Sequence, residues 1–331
     1  MTDSPVHSTS CHDNERRYWP VSRWYRSGVS ALLAVLLGVA AGEAQADGFQ
    51  CPQSSVLPGL AFWQLDTQAN GVFMCRGKNS NGQYMGVTVQ VVDFRLGAKM
   101  RVMSEVSAGS PMGQPDTQFV KRTVQDWYTW TQQGNVTVPP TQRLFSVTNA
   151  SLFTWALPGT TSMSFPQKKW NTVTSTGKET RCHEIGEDSG KRFFALSDPQ
   201  GAGRQYARIN VFNDGCQADI NSVNAQLGGF FDATVAYHPI YGNETTTDNR
   251  TFVGTMNQYG YWNQPQDVAY VLTSSAYLTV VQARDILVQD FGAMWTMQLD
   301  GGGSTGYYHA NFSDRPNARS VPEVLVIYSA P

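Results

Sequence analysis

One carboxylate and three consecutive glycines stand together at Asp300-Gly301-Gly302-Gly303, directly after the apolar run Ala293 to Leu299. Glycine loses more conformational freedom on folding than any other residue. Three in a row mark backbone that must approach something closely or take positive φ. At a strand end, such a loop can turn successive N–H groups toward an anion. The acid beside it is placed for proton transfer, or for holding a ligand hydroxyl or a metal. The same residues also spell a turn, since Asp-Gly is a hairpin signal and a third glycine fits a bulge. On these residues alone, turn and site weigh equally.

The elements around this loop must position it. Thr279 and Gln282 form a capping box, and Val280, Ala283, Ile286, Leu287 and Phe291 follow helical spacing. Gly292 sits where a helix-ending glycine belongs, and a strand from Ala293 to Leu299 then delivers Asp300. Asn149 has a similar approach. Asp116 is expected to cap a helix whose face holds Phe119, Val120, Thr123, Val124 and Trp127, ended by Gln133-Gly134, with the run Leu144 to Val147 leading to Asn149. If the two strands lie side by side and parallel, Asn149 and Asp300 emerge at one sheet edge, where ligands gather in sheets with helical crossovers. Gly86 to Phe94 alternates, with Val87, Val89 and Val91 on one face. Asn70-Gly71 and Asn81-Gly82 are hairpin signals. The middle, 160–226, reads as hairpins, with Arg192 to Leu196 and Tyr206 to Phe212 flanking a turn at Asp198-Pro199-Gln200-Gly201. Arg250 to Gly254 and Val321 to Tyr328 read as further strands. The expectation is an α+β fold: a mixed β-sheet with a few packed helices, β-rich, tied by two disulfides.

The 331-residue chain opens with Arg16, Arg17, Arg23 and Arg26 before an apolar run from Val29 to Gly42 and then Ala44-Gln45-Ala46. That order is expected of a secretory signal peptide over 1–46, cleaved near Ala46. The run is short for a membrane span, and an uncleaved anchor is the alternative. Residues 47–85 read as a turn-rich extension and 86–331 as the main domain. A net charge of −2 argues against nucleic acid or an anionic membrane as partner. The 12% aromatic content, with plentiful Val, Thr and Gly, suits a β-rich exported protein, secreted or periplasmic. Cys51, Cys75, Cys182 and Cys216 follow the signal, an even number in an oxidising compartment. Three pairings are open; Cys51–Cys75 and Cys182–Cys216 are preferred because each closes a short loop. Neither the cysteines nor His183, His238 and His309 have metal-ligand spacing, so no metal or cofactor is expected, although a divalent ion at Asp300 stays open.

Four segments, Leu299–Thr305, Arg250–Gly254, Arg319–Pro322 and Asn149–Phe153, together resemble the phosphodiester glycosidase family. Leu299-Asp300-Gly301-Gly302-Gly303-Ser304-Thr305 is similar to its signature, and Arg250-Thr251-Phe252-Val253-Gly254 to its Arg-Thr-x-x-Gly segment. Arg319-Ser320-Val321-Pro322 resembles its Arg-x-Val-Pro, and Asn149-Ala150-Ser151-Leu152-Phe153 its Asn-Gly-x-Phe-Phe. The chain departs from the family at Gln298, where Asn is usual, and at Ala150, where Gly is usual. The resemblance implies a hydrolase that cleaves a sugar from a sugar-1-phosphodiester on a glycan or envelope polymer, with Asp300, Arg250 and Asn149 catalytic. Gly301, Gly302, Gly303, Ser304, Thr305, Gln298 and Arg319 would bind substrate. The transition state is oxocarbenium-like, and a phosphodiester already leaves well. One prominent carboxylate is therefore enough, with Arg250 gripping the phosphate charge. An ordinary glycosidase needs a second carboxylate, for which Asp232, Glu244 and Asp248 are candidates.

Each residue also has a plainer reading. Arg250 can pair with Asp248 at the surface, Arg319 can simply hold the last strand, and Gln298 with Ala150 fit a glycan-binding protein without catalysis. Trp127, Trp130, Trp155 and Trp170 offer flat faces to sugar rings or to the core.

Overall fold

The computed structural model describes residues 49–136, 141–154, 159–179, 190–200, 203–213, 218–239, 245–257, 264–315 and 318–331. The expected signal peptide, Cys182, Cys216, Trp155 and Glu244 lie outside them.

Strand is the commonest element among the described residues. The larger sheet has 11 strands. From one edge it runs Phe62–Ala69, Val72–Lys78, Tyr84–Asp93, Val268–Ser274, Thr251–Met256, Trp295–Gln298, Asp232–Tyr237, Lys191–Leu196 and Ala207–Phe212. The hairpin Gln167–Lys169 and Thr172–Ser175 joins it through the Asp232–Tyr237 strand. A 5-stranded sheet runs Phe312–Asp314, Tyr307–His309, Arg143–Asn149, Glu323–Ser329 and Lys99–Ser104. Gln118–Val120 pairs with Thr160–Ser162 apart from both.

Side chains alternate across each strand, and this period of two builds the layers. Val87, Val89 and Val91 face a core shared with Val280, Ala283, Ile286 and Leu287 of the helical segment that starts at Val280. Val72, Met74, Val92, Val253 and Met297 face the opposite way, packing on Met100, Val102, Leu325 and Ile327 of the smaller sheet. Met103, Val147, Val324 and Val326 then cover Val124, Trp127 and Tyr128 of the helix Val124–Trp130. The order is helix, large sheet, small sheet, helix. A polar seam runs between the sheets, where buried Gln90 donates to Thr148 Oγ1 at 3.1 Å and accepts from Ser146.

The α+β, β-rich expectation holds, with three corrections. Every strand pair among the described residues is antiparallel, so the sheet is not mixed. The expected Cys51–Cys75 disulfide is present, while Cys182 and Cys216 lie outside the described residues. The helix expected over Phe119 to Trp127 begins only at Val124, with the Thr123 hydroxyl accepting from Asp126 N at 3.1 Å. Phe119 and Val120 are strand, because pairing with Thr160 and Thr161 outweighs their helical spacing. A helix also occupies Ile220–Leu227, within the stretch read as hairpins.

The Thr279–Gln282 capping box is formed, and Gly292 takes φ 74° before the strand Trp295–Gln298. Asn70-Gly71 and the Asn81-Gly82 region both turn hairpins, which places two strands within the stretch 47–85. The Gln167–Lys169 hairpin turns through Trp170 and Asn171, with φ of 50° and 60°. Positive φ at both positions is the type I′ geometry of two-residue hairpins. For tryptophan, this backbone costs roughly 1–2 kcal/mol. Among the described residues no helix is long and apolar enough to cross a membrane.

Candidate active site

Asp300 follows the strand Trp295–Gln298, and the sheet ladder still reaches Leu299, whose N–H donates to Thr251 O at 2.9 Å. Residues two apart on extended chain share a face, so Gln298 and Asp300 point the same way. Each carries a buried oxygen with no protein partner, Gln298 Oε1 and Asp300 Oδ2. Buried polar atoms are nearly always hydrogen-bonded, so two such oxygens on one face make this a candidate site for outside donors.

Asn149 and Asp300 do meet, although not at neighbouring strands of one sheet. Asn149 ends a strand of the smaller sheet, and Asp300 follows a strand of the larger one. They join across the interlayer: Asn149 Nδ2 donates to Asp300 O at 2.7 Å, and Asp300 N donates to Ala150 O at 2.9 Å. Asn149 Oδ1 accepts from Thr251 Oγ1 at 2.8 Å and from Gly306 N at 3.1 Å. This buried amide thus ties three of the four resembling segments together. Arg319 brings in the fourth: its N–H donates to Gly303 O at 3.0 Å and its Nε to Ser304 Oγ at 3.1 Å.

The glycines are required for reasons that differ from the expected anion cradle. Gly302 N–H donates to Asn249 O, Ser304 N–H to Gly301 O and Thr305 N–H to Gly302 O, which closes a short 3-10 turn over Gly302–Ser304. A Cβ on Gly301 would lie 2.8 Å from Asn249 O. On Gly302, at φ +58°, it would lie 2.9 Å from Asp248 Oδ2. The loop is squeezed against the segment that carries Asp248 and Asn249. Asp248 is thereby the second carboxylate near Asp300, whereas Asp232 is held in a buried pair with Arg101 at 2.5 Å.

Burial pushes the Asp300 carboxyl up to about 6, and the Asp248 charge adds to that shift. The Ser304 hydroxyl, the Arg319 guanidinium and the Gly301 N–H oppose it. The product is an acid that changes charge near neutrality beside one positive and one negative neighbour. Arg250 is oriented differently from expectation. Its Nε donates to Leu278 O at 2.9 Å and its Nη2 to Thr246 O at 2.7 Å, which fixes the guanidinium on carbonyls. Thr305 is buried beneath the loop, with Oγ1 3.4 Å from Thr251 Oγ1.

Two residues escaped the sequence reading. Arg315, at φ 51°, donates from Nη1 to Gly302 O at 2.8 Å and to Asn249 Oδ1. It lies in a turn, with no motif to flag it. Glu323 is wholly buried between the sheets and accepts from Ser151 N and Thr234 Oγ1, each at 2.9 Å, and from Gln167. Burial pushes its carboxyl up to about 7. An acid that opens an apolar strand gives no periodic cue. Among the described residues, no three His, Cys, Asp or Glu side chains are grouped to hold a metal ion.

No protein-family profile matches the chain, and no curated protein matches it significantly. Three solved structures share a distant likeness. A Burkholderia pseudomallei protein thought to be exported aligns at 10% identity and TM-score 0.43, over 73% of each chain. A hypothetical protein from Synechocystis aligns at 11% identity and TM-score 0.44, over 81% of this chain and 64% of its own. The catalytic domain of zebrafish N-acetylglucosamine-1-phosphodiester alpha-N-acetylglucosaminidase, auto-inhibited by its pro-peptide, aligns at 11% identity and TM-score 0.42, over 85% of this chain and 87% of its own. Likenesses this weak assign the chain neither an activity nor residue roles.

Proposed function

We propose that the chain is an exported hydrolase that releases a sugar from a sugar-1-phosphodiester, with Asp300 as the group that takes up the proton. The observation that carries this reading is Asp300 itself: a carboxylate at a strand end with one buried, unpartnered oxygen, raised to about 6, and flanked by Arg319 and Asp248. Water adds to the anomeric carbon as the C1–O bond to phosphorus breaks. The water proton goes to Asp300, and a phosphate monoester leaves. Because that leaving group is stable as an anion, no separate acid is needed.

Arg319 and Arg315, which border the glycine turn, are the cations nearest to hand for the phosphate charge. Arg250 then acts by fixing the backbone at Thr246 and Leu278, and Asn149 by holding Asp300 in place. Gln298 would meet a sugar hydroxyl through its unpartnered oxygen. Support for the substrate class comes from the four resembling segments, which converge on one loop although they are spread from Asn149 to Pro322. The Cys51–Cys75 disulfide fits an oxidising compartment.

The test is sugar release from a panel of sugar-1-phosphodiesters by the wild-type chain and Asp300→Asn. Loss of a proton acceptor is expected to lower turnover about 100-fold or more. Equal turnover in the two would remove Asp300 from the reaction. A glycan-binding protein without catalysis is the second reading, favoured by Gln298 and Ala150. Binding with no release across the whole panel would decide for it.

A further inference from the structure

A second cluster of polar and aromatic groups lies at the other end of the Asp232–Tyr237 strand. Tyr237 pairs with Gln298, next to the candidate active site, whereas Asp232 opens the strand and pairs with Leu196. Five residues of extended chain separate them by about 17 Å, too far for one monosaccharide to touch both. Near that end is an open hollow of about 200 Å³, lined by Arg101, Trp170, Gln200 and Phe231.

Three observations give this hollow a chemical character. Trp170 is 45% exposed although it is the largest side chain in its hairpin. It occupies the left-handed turn position where Asn or Gly is usual, and strained residues concentrate at ligand clamps. The turn is locked by Asp232, whose Oδ1 accepts from Trp170 N at 3.0 Å, and by Asn171 N donating to Phe231 O at 2.7 Å. The indole is thus presented, not merely tolerated. Second, positive charge exceeds negative. Arg101 pairs with Asp232 and Arg122 with Glu105, which leaves the Lys169 ammonium as the additional cation beside the ring, while Lys168 Nζ is held on Leu227 O and Gly228 O. Lys169 Nζ lies 4.4 Å from the Trp170 ring centroid and donates to Ser104 O. Burial, with Arg101 adding to it, lowers the Lys169 ammonium to about 8, so a ligand anion would relieve the local repulsion. Third, Gln200 adds an exposed amide at the rim.

A pyranose ring has an apolar C–H face that suits an indole and a hydroxyl edge that suits an amide. A charged substituent on the ring would answer the lysine excess. We infer that the Trp170 hollow is a binding subsite for an acidic saccharide unit, with its ring on Trp170, a hydroxyl at Gln200 and its carboxylate or phosphate toward Lys169. The subsite is independent of the hydrolysis proposed above.

The test is calorimetric titration of the full chain with glucuronate, glucose 6-phosphate, methyl glucoside and inorganic phosphate. At least one of the two acidic sugars is expected to bind tenfold or more tightly than both methyl glucoside and phosphate, and which one does so separates carboxylate from phosphate as the source. Trp170→Gly removes the ring and suits the positive φ, so it should keep or raise the melting temperature while weakening that binding at least tenfold. Lys169→Gln should erase the preference for acid over neutral sugar. Asp300→Asn should leave the affinity unchanged, which distinguishes failure here from failure of the hydrolase reading. Binding by neither acidic sugar, equal binding of acidic and neutral sugars, or unchanged affinity in a folded Trp170→Gly would overturn the subsite.

Discussion

Asp300 can accept a proton only as the carboxylate, and burial has moved its titration up to about 6. The proposed hydrolysis should therefore rise between pH 5 and pH 7 with a midpoint near 6, read from kcat/KM against pH in the wild-type chain. A flat profile over that range would separate the reaction from Asp300. The same burial affects stability with a definite sign. A carboxyl raised on folding binds its proton more tightly in the native state, so its contribution is full below about 4 and is lost as pH rises through the folded value. Glu323, raised to about 7, loses its share last. Urea unfolding between pH 6 and pH 8 should show stability falling with pH, with a shallower slope in Glu323→Gln. At this scale the sequence pointed to Asp300, Arg319 and Asp248. It could not reveal that Arg250 ends on carbonyls or that Glu323 is sealed between sheets, since both depend on residues far away in the chain.

The glycine turn shows how an element meets its constraint. Gly302→Ala puts a side chain at φ +58° and within 2.9 Å of Asp248 Oδ2. It is expected to destabilise by about 1 kcal/mol or more and to lower sugar release in parallel. Unfolding midpoints with the hydrolysis assay check both, and an unchanged midpoint would contradict the squeezed loop. The helix before it was legible because a capping box is local: Thr279 Oγ1 accepts from Gln282 N at 3.1 Å, as the spacing requires. The start of the Val124–Trp130 helix was misplaced because Phe119 satisfies a helical period and a strand period alike. Distant Thr160 and Thr161 decide between them.

A buried ion pair holds the layers together across the molecule. The Arg101–Asp232 pair, with side chains 1% and 0% exposed, links a strand of the smaller sheet to one of the larger. Removing one partner strands a buried charge, so Arg101→Met should cost about 3–5 kcal/mol in denaturant unfolding. A loss under 1 kcal/mol would mean that Asp232 finds another cation. From the sequence alone came the β-rich α+β character, the hairpins at Asn70-Gly71 and Asn81-Gly82, the capped helix before Asp300, and the Cys51–Cys75 pairing. Alternation, turn residues and short loops act over a few neighbours or one short chain closure, so the order of residues suffices to specify them. Only the tertiary structure decided that Asn149 and Asp300 meet across two sheets, that the strand pairs among the described residues are all antiparallel, and that Trp170 is offered to solvent beside Arg101 and Lys169. Those outcomes depend on which faces pack together, and burial acts on the sum of many distant side chains and not on any one stretch of chain.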